Sequence, residues 1–338
     1  MAMAPFILGY CCETMMMRYS IRLAALAVAA SISWPALAKG SSAGPQEPRM
    51  VFQILVSELA IQEGELALAA ATYVSLAEET QQANIAERAT QVALSARAPA
   101  QALRAARVWA KASNGRLEAQ DTVDTLELML GFTGDLTQSL LARREQARRA
   151  GQLEPFYERL TGLLSRTPNR AQALALLETI GAPDLQLASL SYTRAMLHEQ
   201  LGRLDDMERL LRSLIAREPR HAHALNALGY SLADRGERLT EANELIRKAV
   251  SLAPEDPHIL DSMGWVLFRM GQPKEALTWL ERAHRQQPDA EISAHLGEVL
   301  WTLGQADRAK AIWRIGLASD PHNKVLAQTL ERLGVRIE

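Results

Sequence analysis

Aromatic residues make up only 5% of this 338-residue chain, cysteines number two, and neither sign of charge prevails, with 37 Lys and Arg against 39 Asp and Glu. Each shortage removes a class of protein. A nucleic-acid partner needs a basic surplus to neutralise phosphates, and there is none. Strands draw on β-branched and aromatic residues, and these are sparse. Both cysteines, Cys11 and Cys12, precede a segment that reads as removable, so the mature chain needs no disulfide and offers no thiol chemistry. The motifs of catalysis are missing as well: no P-loop, no G-x-S-x-G, no H-E-x-x-H and no Ca-binding Asp loop occurs. His198-Glu199 lacks the second histidine of a zinc helix, His221 and His223 fall on different faces of a helix, and no carboxylate pair has an apolar setting that would separate its pKa values. No enzymatic activity, metal or cofactor is expected. What is abundant is Ala and Leu, within 48% hydrophobic residues, which excludes disorder and predicts an all-α protein.

The amino-terminal region reads as an export signal. Arg18 and Arg22 supply the positive segment, Leu23 to Ile32 the apolar run, and Ala36-Leu37-Ala38 the small-residue pattern for cleavage after Ala38. A membrane anchor would need roughly 20 apolar residues, more than this run provides. Residues 1–16 fit no part of a signal and are read as an upstream extension, with Met15, Met16 and Met17 as later starts. A lipoprotein would need a cysteine after a small-residue site, and Tyr10 spoils the one before Cys11. Cleavage removes Arg18, Arg22 and Glu13, leaving a net charge of -3, no membrane span, and a periplasmic protein whose association with the outer membrane stays open.

After a Gly-, Ser- and Pro-containing tether, residues 39–49, helical periodicity takes over. Residues 50–182 read as divergent helical repeats: two helices flanking Glu63-Gly64, then Ile85 to Ala96, Gln101 to Ala112, Thr122 to Leu130, Leu136 to Ala150, Pro155 to Leu164 and Arg170 to Thr179. From Ala188 to the end the pattern becomes periodic. Pro219, Pro254, Pro288 and Pro321 are 35, 34 and 33 residues apart, and Gly202, Gly236, Gly271 and Gly304 are 34, 35 and 33 apart. Gly229, Gly264 and Gly297 mark a second beat, and Ala242, Ala276 and Ala309 a third. The spacing predicts helix pairs at about 188–221, 222–256, 257–289 and 290–323, followed by a capping helix.

These residues resemble the tetratricopeptide repeat. Ile259-Leu260-Asp261-Ser262-Met263-Gly264-Trp265 through Gly271, Ala276, Leu280, Ala283 and Pro288 follows its pattern nearly slot for slot. The first unit departs most, with Arg194-Ala195 and Met207, and the last has Gly316 where Ala is usual. The resemblance implies a right-handed superhelical solenoid of antiparallel helix pairs whose first helices line a concave, protein-binding face. It places Tyr230, Trp265, Phe268 and Trp301 in the groove, with Tyr192, Asn226, Asp261 and Arg269 beside them and His223 and His258 at the rim. Packing between helices competes for Trp265 and Trp301, and Trp279 and Trp313, on second helices, are expected in the core.

Three strings, Ala224 to Arg235, Ile259 to Gly271 and Ala294 to Trp301, look like the carboxy-terminal half of proteobacterial envelope tetratricopeptide proteins that include the adaptor of a carboxyl-terminal processing protease. That likeness implies a scaffold that docks a periplasmic serine protease and delivers murein hydrolases to it. It extends more weakly to Val51–Ala112, including Arg104 to Trp109. The known adaptor is a longer lipoprotein, and Ser113 to Gly134 marks where repeats are absent here. Two alternatives stand beside it: an assembly scaffold for pili, secretion or outer-membrane insertion, and a glycan-binding envelope module for which Arg143, Arg144, Arg148 and Arg149 speak.

Overall fold

The computed structural model describes residues 46–337. The expected upstream extension, the signal peptide and positions 39–45 of the tether lie outside the described residues. The last four tether positions do not form a tether, because the first helix opens at Gln46 and takes Pro48 into its first turn, where a missing N–H costs nothing.

Seventeen α-helices and no strand are found among the described residues. They are α1 Gln46–Gln62, α2 Leu66–Thr80, α3 Ala83–Ser95, α4 Pro99–Ala112, α5 Leu117–Leu130, α6 Thr133–Arg149, α7 Leu153–Ser165, α8 Arg170–Gly181, α9 Ala188–Gln200, α10 Leu204–Arg217, α11 Ala222–Arg235, α12 Leu239–Leu252, α13 Pro257–Arg269, α14 Pro273–Gln286, α15 Ala290–Thr302, α16 Ala306–Ser319 and α17 Lys324–Leu333. None is long and apolar enough to cross a membrane. Residues 46–56, the opening turns of α1, belong to a separate unit.

Residues from Ser57 onward pack as one unit in which, from α2, each helix lies against the next. Chain-adjacent helices pair, and α11 also packs on α13, α13 on α15, and α15 on α17, the contact pattern of stacked helix pairs. The divergent segment joins the periodic one without a gap: Leu190 and Leu197 of α9 belong to the same apolar cluster as Tyr157, Leu164 and Ile180. Gly181 and a single 3-10 turn, Ala182–Asp184, make the bend.

The repeat slots have direct steric causes. A Cβ built on Gly264 would stand 2.5 Å from Leu280 Cγ and 3.1 Å from the Ala276 carbonyl, and one on Gly229 would stand 2.6 Å from Ile246 Cγ1. The two helices of a pair cross at these glycines, and only a missing side chain lets the backbones approach. In the fourth pair the facing residue is Trp313, fully buried, whose indole occupies the space over Gly297. Gly316, one turn further on, closes against Ser293 and Leu326, which explains the glycine in place of the usual alanine. Helices α11, α13, α15 and α17 are each started by a capping side chain, whereas α9 follows Leu187 without one: His221, Asp256, Asp289 and Asn323 accept from the N–H groups of Ala224, of His258 and Ile259, of Ile292, and of Leu326.

Candidate functional site

The residues expected in the groove come from one stripe. On α13 the positions three before and one and four after Gly264 are Asp261, Trp265 and Phe268, spacings that fall on one helix face. The same positions on α11 hold Asn226 and Tyr230, and on α15 they hold Glu298 and Trp301. Helix α17 continues the row. Its Val325, Gln328, Thr329 and Arg332 join Tyr230, Asp234, Trp265, Phe268, Arg269, His295 and Glu298 around a cavity of about 450 Å3. The expected capping helix is thus also a wall of the site.

Polar side chains tie these helices together at the cavity. His295 Nδ1 lies 3.0 and 2.9 Å from the two carboxylate oxygens of Asp261, joining α15 to α13 in a pair that is almost wholly buried. Burial works against a charged imidazole, but Asp261 outweighs it, and the His295 pKa stands above its ordinary value. The His295 ring stacks on Trp265, with centroids 4.2 Å apart and planes 22° apart. Arg332 of α17 donates to buried Glu298 at 2.6 Å. Tyr230 donates its O–H to Glu291 at 2.9 Å, and its pKa is pushed well above normal by burial and by Glu291, Asp261 and Asp234. Arg269 donates to the Asp234 carbonyl and holds its guanidinium 5.6 Å from the Trp265 ring centre.

The cavity brings together four of the eight expected residues: Tyr230, Trp265, Phe268 and Arg269. Asp261 acts from behind, through His295. Tyr192 and Asn226 are half-buried further along the row, with Tyr192 stacked on His221 at 5.5 Å, and Trp301 is half-buried against Trp313. His223 and His258 are exposed beside Asp256 and Gln287.

Burial favours the packing alternative for Trp265 and corrects the core expectation for Trp279. Trp265, read as a groove ring, is only 5% exposed because Phe268, Arg269 and His295 of the next pair enclose it. Trp279, read as core, is half-buried at the edge of the Leu260, Ala283 and Ile292 cluster, with Arg282 6.0 Å from its ring. Trp313 is fully buried, as expected of a second-helix position. The row also contains functional candidates that the sequence reading passed over: His295, Glu298, Glu291 and Arg332. The usable signal was the period itself, since Asp261 with His295 and Glu298 with Arg332 are both 34 residues apart, one repeat.

The four arginines of α6 share three carboxylates. Arg143 pairs with Asp124 at 2.6 Å, Arg144 is buried against Asp184 and Tyr157, and Arg148 and Arg149 both donate to Glu145. Arg144 is no solvated helix end. All four cations have carboxylate partners in the same chain, and Arg148 and Arg149, which share Glu145, stay exposed. A larger hollow of about 680 Å3 beside α5, α6 and α7 presents Arg159, Arg166, Asp121 and Glu158, charges of mixed sign.

Comparison with known proteins agrees with this geometry. The tetratricopeptide repeat family model matches residues 192–257 and 262–323. Those two segments resemble tetratricopeptide repeats. The chain is 36% identical over 206 residues to the TPR repeat-containing protein PA4667 of Pseudomonas aeruginosa, a match spanning 54% of this chain and 35% of that protein. It therefore spans about a third of that relative's length. Similar solved structures include the thermophilic TPR protein TTC0263 of Thermus thermophilus, with 20% identity, a TM-score of 0.44 and coverage of 59% of this chain and 100% of the other. A tetratricopeptide repeat protein of Parabacteroides merdae gives 13% identity, a TM-score of 0.47 and coverage of 84% and 98%.

Proposed function

We propose that the chain is a non-catalytic scaffold of the cell envelope that binds proteins along the row formed by the first helices of its repeats. Tetratricopeptide repeats generally mediate protein–protein interaction, and the observation that carries the reading here is the row itself. Half-buried rings, Tyr192, Tyr230, Phe268 and Trp301, recur on α9, α11, α13 and α15 above buried ion pairs that fix the helices. Such rings give contact area at low entropic cost, and the polar groups between them set register. Export to the periplasm follows from the signal-like features of residues 17–38.

The finer reading is an adaptor that links a periplasmic serine processing protease to murein hydrolase substrates. It is supported by the likeness of residues 224–235, 259–271 and 294–301 to the envelope adaptor proteins. The test is a pull-down from periplasmic extract with the mature chain, Lys39 to Glu338, with retained proteins identified by mass spectrometry. Recovery of a processing protease together with murein hydrolases is the expected result. A secretin or barrel-assembly component without any protease would refute the adaptor and favour an assembly scaffold. Retention of no protein would refute the scaffold.

A further inference from the structure

Consecutive first helices of the array pack directly on one another, α11 on α13, α13 on α15 and α15 on α17. Between α5 and α7 that packing is interrupted by the hollow of about 680 Å3, which runs along the amino-terminal part of α5, from Leu117 to Thr125. Its lining on α7 includes Gly162, where a built Cβ would meet nothing within 4 Å, whereas at Gly229, Gly264 and Gly297 it would collide with the next helix. Leu117, at the open end of α5, is 59% exposed. At the other end of α5, Leu128 belongs to the apolar cluster of Leu136, Leu140, Phe156 and Leu160. Helix α5 is thus anchored at its carboxy-terminal end and splayed from α7 at its amino-terminal end.

The two sides of this wedge are each tied to a different body. Glu127 of α5 accepts from Arg107 of α4 at 2.7 Å, and α2, α3 and α4 pack each on the next. On the other side Arg144 of α6 pairs with Asp184 and donates to Tyr157 of α7, which fastens α6 to the array. Between the two bodies stand the turn at Gly131, with φ of +80°, the Leu128 cluster and one buried ion pair, Asp124 with Arg143 at 2.6 Å. The walls carry opposite charge. Asp121 on α5 and Arg159 and Arg166 on α7 are exposed, and none of the three makes an ion pair or a side-chain hydrogen bond among the described residues. Arg159 and Arg166 are two turns apart on one helix face. Glu158 offsets one of them, which leaves the α7 wall positive and the α5 wall negative.

We propose that the wedge is a hinge. Helices α2 to α5 swing as one lever about the turn at Gly131, and the closed position brings Asp121 against Arg159 or Arg166 and seats Leu117 on Leu163. The structure holds the open position. From Leu117 to Thr125 the helix rises about 12 Å, and one helix is about 10 Å deep, so the volume corresponds to a gap about 5 Å wide. Closing it unfolds no helix. The two positions give the solenoid two shapes, and a salt-sensitive contact selects between them.

The test is double electron–electron resonance on the full chain, with Cys11 and Cys12 replaced by Ser and spin labels at Glu118→Cys and Ser165→Cys, exposed positions on α5 and α7. Two distances are expected, about 5 Å apart, with the short one more populated in about 20 mM salt than in about 0.5 M. A pair within the lever, Ser75→Cys with Glu118→Cys, should give one distance under both conditions. Asp121→Lys should lower the short-to-long ratio roughly threefold or more, the loss of an exposed ion pair, and adding Arg159→Glu and Arg166→Glu should restore it. All three side chains are exposed, so these variants leave the core unchanged. A single distance at both salt concentrations, an unchanged ratio in Asp121→Lys, or no restoration by the reversed arginines would overturn the hinge. Two distances in the pair within the lever would place the motion elsewhere and overturn it as well.

Discussion

A methyl group added at Gly264 tests whether the repeat register is steric. Taken alone, Gly→Ala inside a helix stabilises by about 1 kcal/mol, because glycine loses more backbone freedom on folding. At Gly264 the new Cβ stands 2.5 Å from Leu280 Cγ and 3.1 Å from the Ala276 carbonyl, well inside contact distance. Leu280 is fully buried and the Ala276 carbonyl belongs to the backbone of α14, so relief requires either an unfavourable leucine rotamer or separation of α13 from α14. Overpacking of this kind costs about 1 to 3 kcal/mol and more where the backbone must yield, which exceeds the propensity gain. The net expectation is a loss of about 1 to 2 kcal/mol. Gly162 on α7 is the control: it has no atom within 4 Å of a built Cβ and no positive φ, so Gly162→Ala should stabilise by about 0.5 to 1 kcal/mol. The assay is urea unfolding of both variants by circular dichroism, with amide hydrogen exchange across α13 and α14, since losses in a stack of pairs are local. Adding Leu280→Ala to Gly264→Ala should cost less than the sum of the two single changes. A raised midpoint in Gly264→Ala, or unchanged protection in α13 and α14, would refute the steric origin of the repeat glycines.

Truncating Trp265 and Trp279 should rank them by burial: Trp265→Ala costs about 3 to 5 kcal/mol in urea unfolding and Trp279→Ala about half of that, and the reverse order would contradict their environments. Glu208 accepts from Arg238, Arg212 and Arg235, of which Arg238 contributes most to pushing its pKa down to about 2 from an ordinary 4.5. Because the folded-state value is the lower one, this stabilisation is complete above about pH 4.5 and is lost as the pH falls toward 2, so Glu208→Gln should flatten the acid limb of a stability profile. For His295 the sign is opposite. Its folded-state pKa is raised above 6.5, so its contribution is complete below that pH and is lost as the pH rises through the folded value. A stability profile of the Asp261→Asn, His295→Gln double variant should lack that step, and an identical profile would remove the ion pair from the account.

The helix pairs were legible in the sequence because their causes are local. Gly229, Gly264 and Gly297 recur where backbones cross, and Gly202, Gly236, Gly271 and Gly304 recur where the turn takes φ of +71° to +79°. The helices of residues 50–182 were found to within a few residues from their apolar stripes, without a fixed period to confirm them. The burial of Trp265 was not legible, because the ring that covers it, His295, comes from the next pair and no single-helix periodicity reports it. The pairing of Arg143 and Arg144 on α6 was hidden for the same reason, since their partners Asp124 and Asp184 stand 19 and 40 residues away.

Contacts of this range give the array its second layer of specification. Glu208 with Arg238, Asp261 with His295, Glu281 with Arg308 and Glu298 with Arg332 are separated by 30, 34, 27 and 34 residues, each reaching from one pair to the next. Apolar packing alone would tolerate small slips between neighbouring pairs, since an alanine- and leucine-rich face offers several near-equal seats. A buried carboxylate that loses its cation does not tolerate them, because the uncompensated charge costs several kcal/mol. His295, Glu298 and Arg332 also line the cavity, so the interactions that hold α13, α15 and α17 in register are the ones that shape it. A change that loosens the stack there must alter the cavity and the stability together.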